Sequence, residues 1–320
     1  MKIEMTGISN KQVLTEVFGE RLQFDIPLAR YTSARVGGPA DALVEVESAE
    51  DLAKVARSLW KLAEPFMILG GGTNVLVSDA GVRSLVVLNH ARQVRFDEQV
   101  TPPLVWAESG VNFGVLARQA AQHGLTGLEW AAGIPGSVGG AVFGNAGAHG
   151  GDMAGNLRVA EILHQSGEIE SWPVEKMGYT YRSSILKQTV MQAESRLPQS
   201  PAVIILGAAL VLERSSTEAV QAKMNVFLAH RRRTQPPGAS MGSMFKNPAG
   251  DYAGRLIEAA GLKAARVGQA QISPLHANFF INLGQASAAE IYELIELARQ
   301  TVFEKFGVAL ELEIELVGQW

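Results

Sequence analysis

Between Gly133 and Gly151 the chain reads GIPGSVGGAVFGNAGAHGG, with glycine at eight of nineteen positions, and an earlier stretch reads GGGTNVL at Gly70–Leu76. Glycine costs roughly 0.5–1 kcal/mol relative to alanine when ordered in a regular element, so a folded chain keeps such runs where backbone turns with positive φ or touches something closely. Two runs of this kind suggest a large ligand lying on bare backbone.

At 320 residues the chain is long for one core, and about two domains are expected. A net charge of −4 gives no general reason to expect a nucleic-acid partner, and nothing reads as a basic groove. Cysteine is absent, which excludes disulfides, thiolate-bound zinc, iron–sulfur clusters and a thiol nucleophile; redox chemistry would need a bound cofactor. The first twenty residues mix acidic and basic side chains without an apolar core, so they do not read as a secretory signal. The longest apolar run, Ala202–Leu212, is too short to span a bilayer and suits a buried strand. No membrane partner and a cytoplasmic location are expected.

After a polar lead the pattern predicts a strand at Ala42–Val46, a helix over Ala49–Leu62, and a strand at Pro65–Leu69 that runs straight into GGGTN. Further strands are predicted at Ser84–Leu88 and Leu104–Ala107, with a helix over Phe113–His123. This alternation argues for an α+β or α/β chain. Val203–Leu212 reads as the closing strand of a first domain, with the boundary near Arg214. Beyond it the periodicity predicts helices over Glu218–Arg232 and Tyr252–Ala260, then extended structure over Ile272–Leu283. Ser287 and Glu290 have capping-box spacing, Ile291, Leu294, Ile295, Ala298 and Val302 share one face, and Gly307 ends that helix. The tail Val308–Val317 reads as a strand.

A strand emptying into GGGTN presents successive backbone N–H groups, with Thr73 and Asn74 to cap them, a donor array suited to a diphosphate. An ordinary tight turn would look the same. Neither run is a G-x-G-x-x-G fingerprint with its acidic partner, and no G-x-x-x-x-G-K-[ST] occurs, so Rossmann and P-loop sites are disfavoured. What remains is a backbone-lined site of another design, with Pro135 fixing one turn and Asn145 offering an amide.

GGGTNVLVSD, GIPGSVGGAVFGNAGAHG, YRSS at Tyr181–Ser184, GSMFKNP at Gly242–Pro248, AGRLIEAAGLK, HANFFIN and LELEIELVG at Leu310–Gly318 occur along the chain. Together they closely resemble the UDP-N-acetylenolpyruvoylglucosamine reductases, in the shorter subtype without the inserted tyrosine loop, from about Leu28 to Gly318. The resemblance implies an α+β chain: an N-terminal lead (1–27), a noncovalent FAD-binding domain of the vanillyl-alcohol oxidase type (28–213), and a smaller α+β substrate domain (214–320) whose C-terminal strand returns to the active site. It implies NADPH as co-substrate and UDP-N-acetylglucosamine enolpyruvate as substrate, in a protein expected to be monomeric.

The same resemblance places FAD on Gly70, Gly71, Gly72, Thr73, Asn74, Val75 and Leu76, and on Ile134, Pro135, Gly136, Ser137, Gly139, Gly140, Asn145 and Gly147. Hydride arriving at C3 of the enolpyruvyl ether pushes electrons toward its carboxylate, so the site needs a charge stabiliser and a proton donor. Arg182 matches the family's arginine, Ser243 the serine that protonates C2, and Glu313 the second catalytic residue; the choice of Glu313 over Glu311 or Glu315 rests on motif register. Tyr181, Lys246, Asn247 and Arg231 are the substrate-binding candidates. Arg231 to Arg233 read equally well as a cationic helix end. His149 stands where the family more often has tyrosine, Leu312 where proline is usual, and Glu315 where a basic residue is common. The six histidines have no metal-ligand spacing, and no metal is expected. Two other readings stay open: a flavin oxidase or dehydrogenase of a small alcohol or hydroxy acid, and a non-catalytic nucleotide-sugar binder.

Overall fold

The computed structural model describes residue 8, residues 10–192 and residues 200–320. Residues 1–7 and 9 of the N-terminal lead lie outside the described residues. The expected apolar strand is Pro39–Val46, in a four-stranded sheet ordered Gln23–Pro27, Pro39–Val46, Val82–Asn89, Phe66–Leu69. Phe66–Leu69 runs parallel to Val82–Asn89, with Phe66 opposite Leu85. The Ala49–Lys61 helix begins at Ser48, whose hydroxyl accepts from Asp51 N at 3.1 Å, and Glu50 and Asp51 complement its dipole. Its Leu52, Val55, Ala56 and Leu59 are buried in one cluster with Phe66 and Leu85. The lead also holds elements that its polarity hides. A helix Lys11–Phe18, capped by Asn10, buries Leu14 and Phe18 in this same cluster.

A second sheet is antiparallel throughout, in the order Ile169–Pro173, Leu157–His164, Val203–Val211, Leu104–Glu108, Val94–Asp97. Val203–Val211 takes the centre, where an uninterrupted apolar run can be covered on both faces. The helix Phe113–Gln122 contributes Phe113, Leu116 and Ala117 to a core with Ala208, Leu210 and Leu212. The glycine run itself contains a short helix, Val138–Gly144, which propensity argues against. Ser137 caps it, and Val138, Ala141 and Val142 bury one side in that core, so packing outweighs the cost of its glycines.

The chain divides into two compact units: one of residues 1–24, Ala42–Gly71 and Ser84–His230, and another of Asp25–Asp41, Gly72–Arg83 and Arg231–Trp320. In the second, a sheet ordered Ala239–Ser243, Phe279–Asn282, Ala270–Ile272, Arg266–Val267 is covered by the helix Ala288–Phe306. The helix has the expected capping box, and both Asp79 carboxylate oxygens add to it by accepting from Ala288 N and Ala289 N at 2.8 and 2.9 Å. Ile291, Leu294, Ile295, Ala298 and Val302 are buried with Ile272 and Phe280. The extended run expected over Ile272–Leu283 is two strands. Ser273 breaks it, its hydroxyl accepting from Leu275 N and His276 N ahead of the return strand. The expected tail strand shortens to Glu315–Val317, parallel to Val75–Val77, because residues 311–313 bond instead to residues 244–246. Among the described residues, no helix is long and apolar enough to cross a membrane.

Candidate active site

The start of the first glycine run meets the second run within the first unit. Gly70 follows the Phe66–Leu69 strand, and a Cβ built on it would lie 2.6 Å from Ser137 Oγ. The second run is tied to the turn before the Phe113–Gln122 helix: Gly139 N donates to Ser109 O and Val138 N to Val111 O at 2.8 Å, and Phe113 N donates to Gly136 O at 3.0 Å. Ser137 Oγ accepts from Gly140 N at 3.3 Å. Ile134 packs against the core beside exposed Pro135, and Gly147 pairs with Asp152 in a two-residue hairpin.

Gly140 and Gly144 show what the site fits. Neither has positive φ; a Cβ on Gly140 would meet only Ser137 Oγ at 3.6 Å, and one on Gly144 would meet nothing within 4 Å. The protein's own packing therefore requires glycine at neither, although a helical glycine costs about 1 kcal/mol against alanine. Close approach by a flat external group, such as the dinucleotide expected here, supplies the missing reason, and the residues fit it.

Asn145 ends this helix in the left-handed conformation, φ 47° and ψ 58°, and is 5 % exposed. Its Nδ2 donates to Thr180 O at 2.9 Å and its Oδ1 accepts from Ala154 N at 3.0 Å. Arg182 follows in a tight turn, half-buried, with φ +56° and its guanidinium 5.6 Å from the ring centre of exposed Tyr181.

A cleft of about 340 Å³ in the same unit is lined by Trp130, His149, Asp152, Asn156, Lys223 and Phe227. His149 lies flat on Phe227, ring centres 4.3 Å apart. Glu129, paired with Lys223 of this cleft, is buried; burial opposes its ionisation, but hydrogen bonds from Thr126 and Gly127 and the Lys223 charge hold its carboxyl below the ordinary range. Only His149 of this group stood out in the sequence. Trp130, Lys223 and Phe227 carry no local signal, because two segments far apart in the chain bring them together.

In the second unit Ser243 and Glu313 are neighbours through backbone pairing. Glu313 N donates to Met244 O and Lys246 N to Glu311 O, both at 2.9 Å, and Phe245 bridges Leu312. Both Ser243 and Glu313 are half-buried. Glu311 instead has its side chain 75 % exposed and pairs with Lys246 Nζ at 3.3 Å, which separates it from Glu313. Asn247 Oδ1 accepts from Ala253 N at 3.1 Å and so caps the Ala253–Ala259 helix. Burial pushes the Arg231 guanidinium below its ordinary range.

Gly71 closes the first unit's share of GGGTN, and Gly72, Thr73, Asn74, Val75 and Leu76 belong to the second. Asn74 Nδ2 donates to Glu313 O at 3.1 Å and Asn74 O accepts from Glu315 N at 2.9 Å, so the loop's last residue is fastened to the catalytic-candidate strand. Sequence reasoning missed Asn278. It is 2 % exposed, and its amide makes both hydrogen bonds to the Phe245 backbone, holding the segment that carries Ser243. Among the described residues, no group of three or more His, Asp or Glu side chains is placed to hold a metal.

Known proteins resemble this arrangement over nearly its whole length. Residues 40–171 match the FAD binding domain family, and residues 234–317 match the C-terminal domain of UDP-N-acetylenolpyruvoylglucosamine reductase. The UDP-N-acetylenolpyruvoylglucosamine reductase of Chloroflexus aggregans is 44 % identical, over 91 % of this chain and 96 % of its own. That of Rubrobacter xylanophilus is 43 % identical, over 93 % and 95 %. The crystal structure of the Thermus caldophilus enzyme, at 36 % identity, covers 92 % of this chain and 98 % of its own with a TM-score of 0.75. The chain belongs to the UDP-N-acetylenolpyruvoylglucosamine reductase family.

Proposed function

We propose that this chain is an FAD-dependent UDP-N-acetylmuramate dehydrogenase. It uses NADPH to reduce the enolpyruvyl ether of UDP-N-acetylglucosamine to UDP-N-acetylmuramate in peptidoglycan precursor synthesis. The observation that carries the reading is the 44 % identity to a curated reductase along 96 % of that enzyme's length.

The backbone of Gly70–Leu76 and Ile134–Gly140 would hold FAD noncovalently, with Gly140 and Gly144 leaving room for it. FAD, when bound, supplies the hydride relay between NADPH and C3 of the enolpyruvyl group. The side chains handle the charge and the proton. Negative charge moves onto the substrate carboxylate as C3 is attacked, and Arg182 meets it with a charge-assisted hydrogen bond. Ser243 Oγ gives its proton to C2. A hydroxyl is a weak acid in water, so this transfer requires a dry site and a strongly basic enolate, and the half-burial of Ser243 supports the first. Glu313 is the second catalytic group, beside the substrate carboxylate. Lys246 and Arg231 bring positive charge to the diphosphate of UDP, with Tyr181 and Asn247 as further contacts; Asn247 would use Nδ2, since its Oδ1 caps a helix. The reading includes a monomeric, cytoplasmic enzyme.

Anaerobic stopped-flow absorbance tests it, with the yellow protein mixed first with NADPH and then with UDP-N-acetylglucosamine enolpyruvate. Bleaching followed by recovery is expected. Bleaching without recovery would replace the assignment with an oxidase, and folded protein that takes up no FAD would replace it with a binding protein.

A further inference from the structure

The residues on both sides of Arg182 are fastened to one object, the C-terminal end of the Val138–Gly144 helix. Tyr179 Oη donates to Val142 O at 2.8 Å, Ser184 Oγ donates to Phe143 O at 2.6 Å, and Asn145 Nδ2 donates to Thr180 O at 2.9 Å. Burial raises the Tyr179 hydroxyl well above its ordinary range, so it stays a donor. Between these anchors Thr180 and Ser183 exchange both backbone hydrogen bonds, at 3.0 and 3.1 Å, and close a turn with Arg182 at φ +56°. A side chain at positive φ persists where its surroundings over-determine it, and such positions cluster at functional sites. Asn145 is the centre of this clamp. It is itself left-handed, buried, and bonded through both amide atoms to the protein, Oδ1 taking Ala154 N at 3.0 Å.

We propose that Asn145 is a positioning residue for Arg182: its carboxamide grips the Thr180 carbonyl and thereby fixes the strained turn that presents the guanidinium. This replaces the expectation that the Asn145 amide contacts the cofactor, and it rests on the reading of Arg182 as the charge-stabilising group.

The test is Asn145→Asp. Aspartate tolerates the left-handed region and keeps an acceptor for Ala154 N, but it sets a carboxylate oxygen against Thr180 O in place of the donor. Holoenzyme turnover of UDP-N-acetylglucosamine enolpyruvate is expected to fall about 10- to 100-fold, the scale of a small misplacement of a reacting group, mainly in kcat. FAD affinity, read by flavin fluorescence, and the rate of bleaching by NADPH should each change less than about twofold, since neither uses Arg182. In an Arg182→Asn background, where asparagine also accepts positive φ, adding Asn145→Asp should cost nothing further. Three results overturn the inference: unchanged turnover in Asn145→Asp, a loss of FAD affinity that accounts for the defect, or the same fold-loss repeated in the Arg182→Asn background. Normal turnover in Arg182→Asn alone would instead remove the reading of Arg182 on which the inference stands. Where Asn145→Asp fails to fold, Tyr179→Phe deletes one hydroxyl from the same clamp and should show a smaller loss that likewise vanishes in the Arg182→Asn background.

Discussion

Replacing Asn278 by alanine should unfasten the segment that carries Ser243. Asn278 is 2 % exposed and Phe245 is fully buried, so water cannot easily replace what the amide provides. Its Oδ1 accepts from Phe245 N at 2.9 Å and its Nδ2 donates to Phe245 O at 2.8 Å. Alanine leaves both backbone groups without these partners, at about 1–3 kcal/mol each, so a loss of about 3–5 kcal/mol is expected. For a unit of this size about 1 kcal/mol moves the midpoint by roughly 3–6 °C, which places the drop at about 10 °C or more in calorimetry. Asn247→Ala is the internal control. Asn247 is exposed and its Oδ1 accepts from Ala253 N at the start of a helix, so its loss should cost about 1 kcal/mol, as lost helix caps do. The reasoning fails if Asn278→Ala melts within about 2 °C of the parent, or no lower than Asn247→Ala.

Ser243→Ala should retain bleaching by NADPH while the return step with the enolpyruvyl substrate slows by about 10²–10⁴, the usual worth of a positioned acid; normal turnover would withdraw the proton-donor assignment. Gly140→Ala should melt at or slightly above the parent temperature without FAD, because nothing in the protein obstructs its Cβ, yet bind FAD more than about tenfold more weakly by fluorescence titration. Undiminished affinity would mean that the cofactor does not lie on this glycine. Burial, with Lys263 nearby, holds the His276 ring below its ordinary value of 6.5, and its Nδ1 accepts from Asn278 N at 3.3 Å. The unfolded chain therefore binds the proton first, so this contribution to stability is present above about pH 6.5 and is lost as pH falls toward the folded value. His276→Gln should flatten denaturation midpoints measured from pH 5 to 7; an unchanged slope would show that another group carries it.

The elements most legible in the sequence are those whose stabilisation is local. The helix Ala288–Phe306 announces itself through Ser287, Glu290 and one apolar stripe, all within a single stretch of chain. Strands such as Val203–Val211 follow from apolar runs bounded by polar residues. The helix Val138–Gly144 does not follow, since three of its seven residues are glycine and its stability comes from Val138, Ala141 and Val142 entering a distant core. The helix Lys11–Phe18 hides for a related reason, having only Leu14 and Phe18 as buried anchors. At the site, residue types and motif order singled out Arg182, Ser243 and Glu313. They could not show that Asn145 holds the Thr180 carbonyl beside Arg182 or that Asn278 uses both amide atoms on Phe245, because an asparagine that grips a remote carbonyl looks like any loop asparagine. Nor does composition reveal that Gly72–Arg83 belongs with a unit built mainly of residues beyond 231.

The pairing of Val75–Val77 with Glu315–Val317 also sets an order of events during synthesis. Asn74 and Glu313, joined by a hydrogen bond, are 239 positions apart. A ribosome emitting roughly 5–20 residues per second would hold the Val75–Val77 strand without its parallel neighbour for something like 10–50 seconds. The five-stranded antiparallel sheet, complete by Val211, can form in that interval. The second unit cannot be finished until Glu315–Val317 emerge, and until then the Val75–Val77 edge is open to other strands. Its long-range closure is thus the step at which a nascent chain is most exposed to mispairing, and the one that a chaperone holding the unfinished chain would most usefully protect.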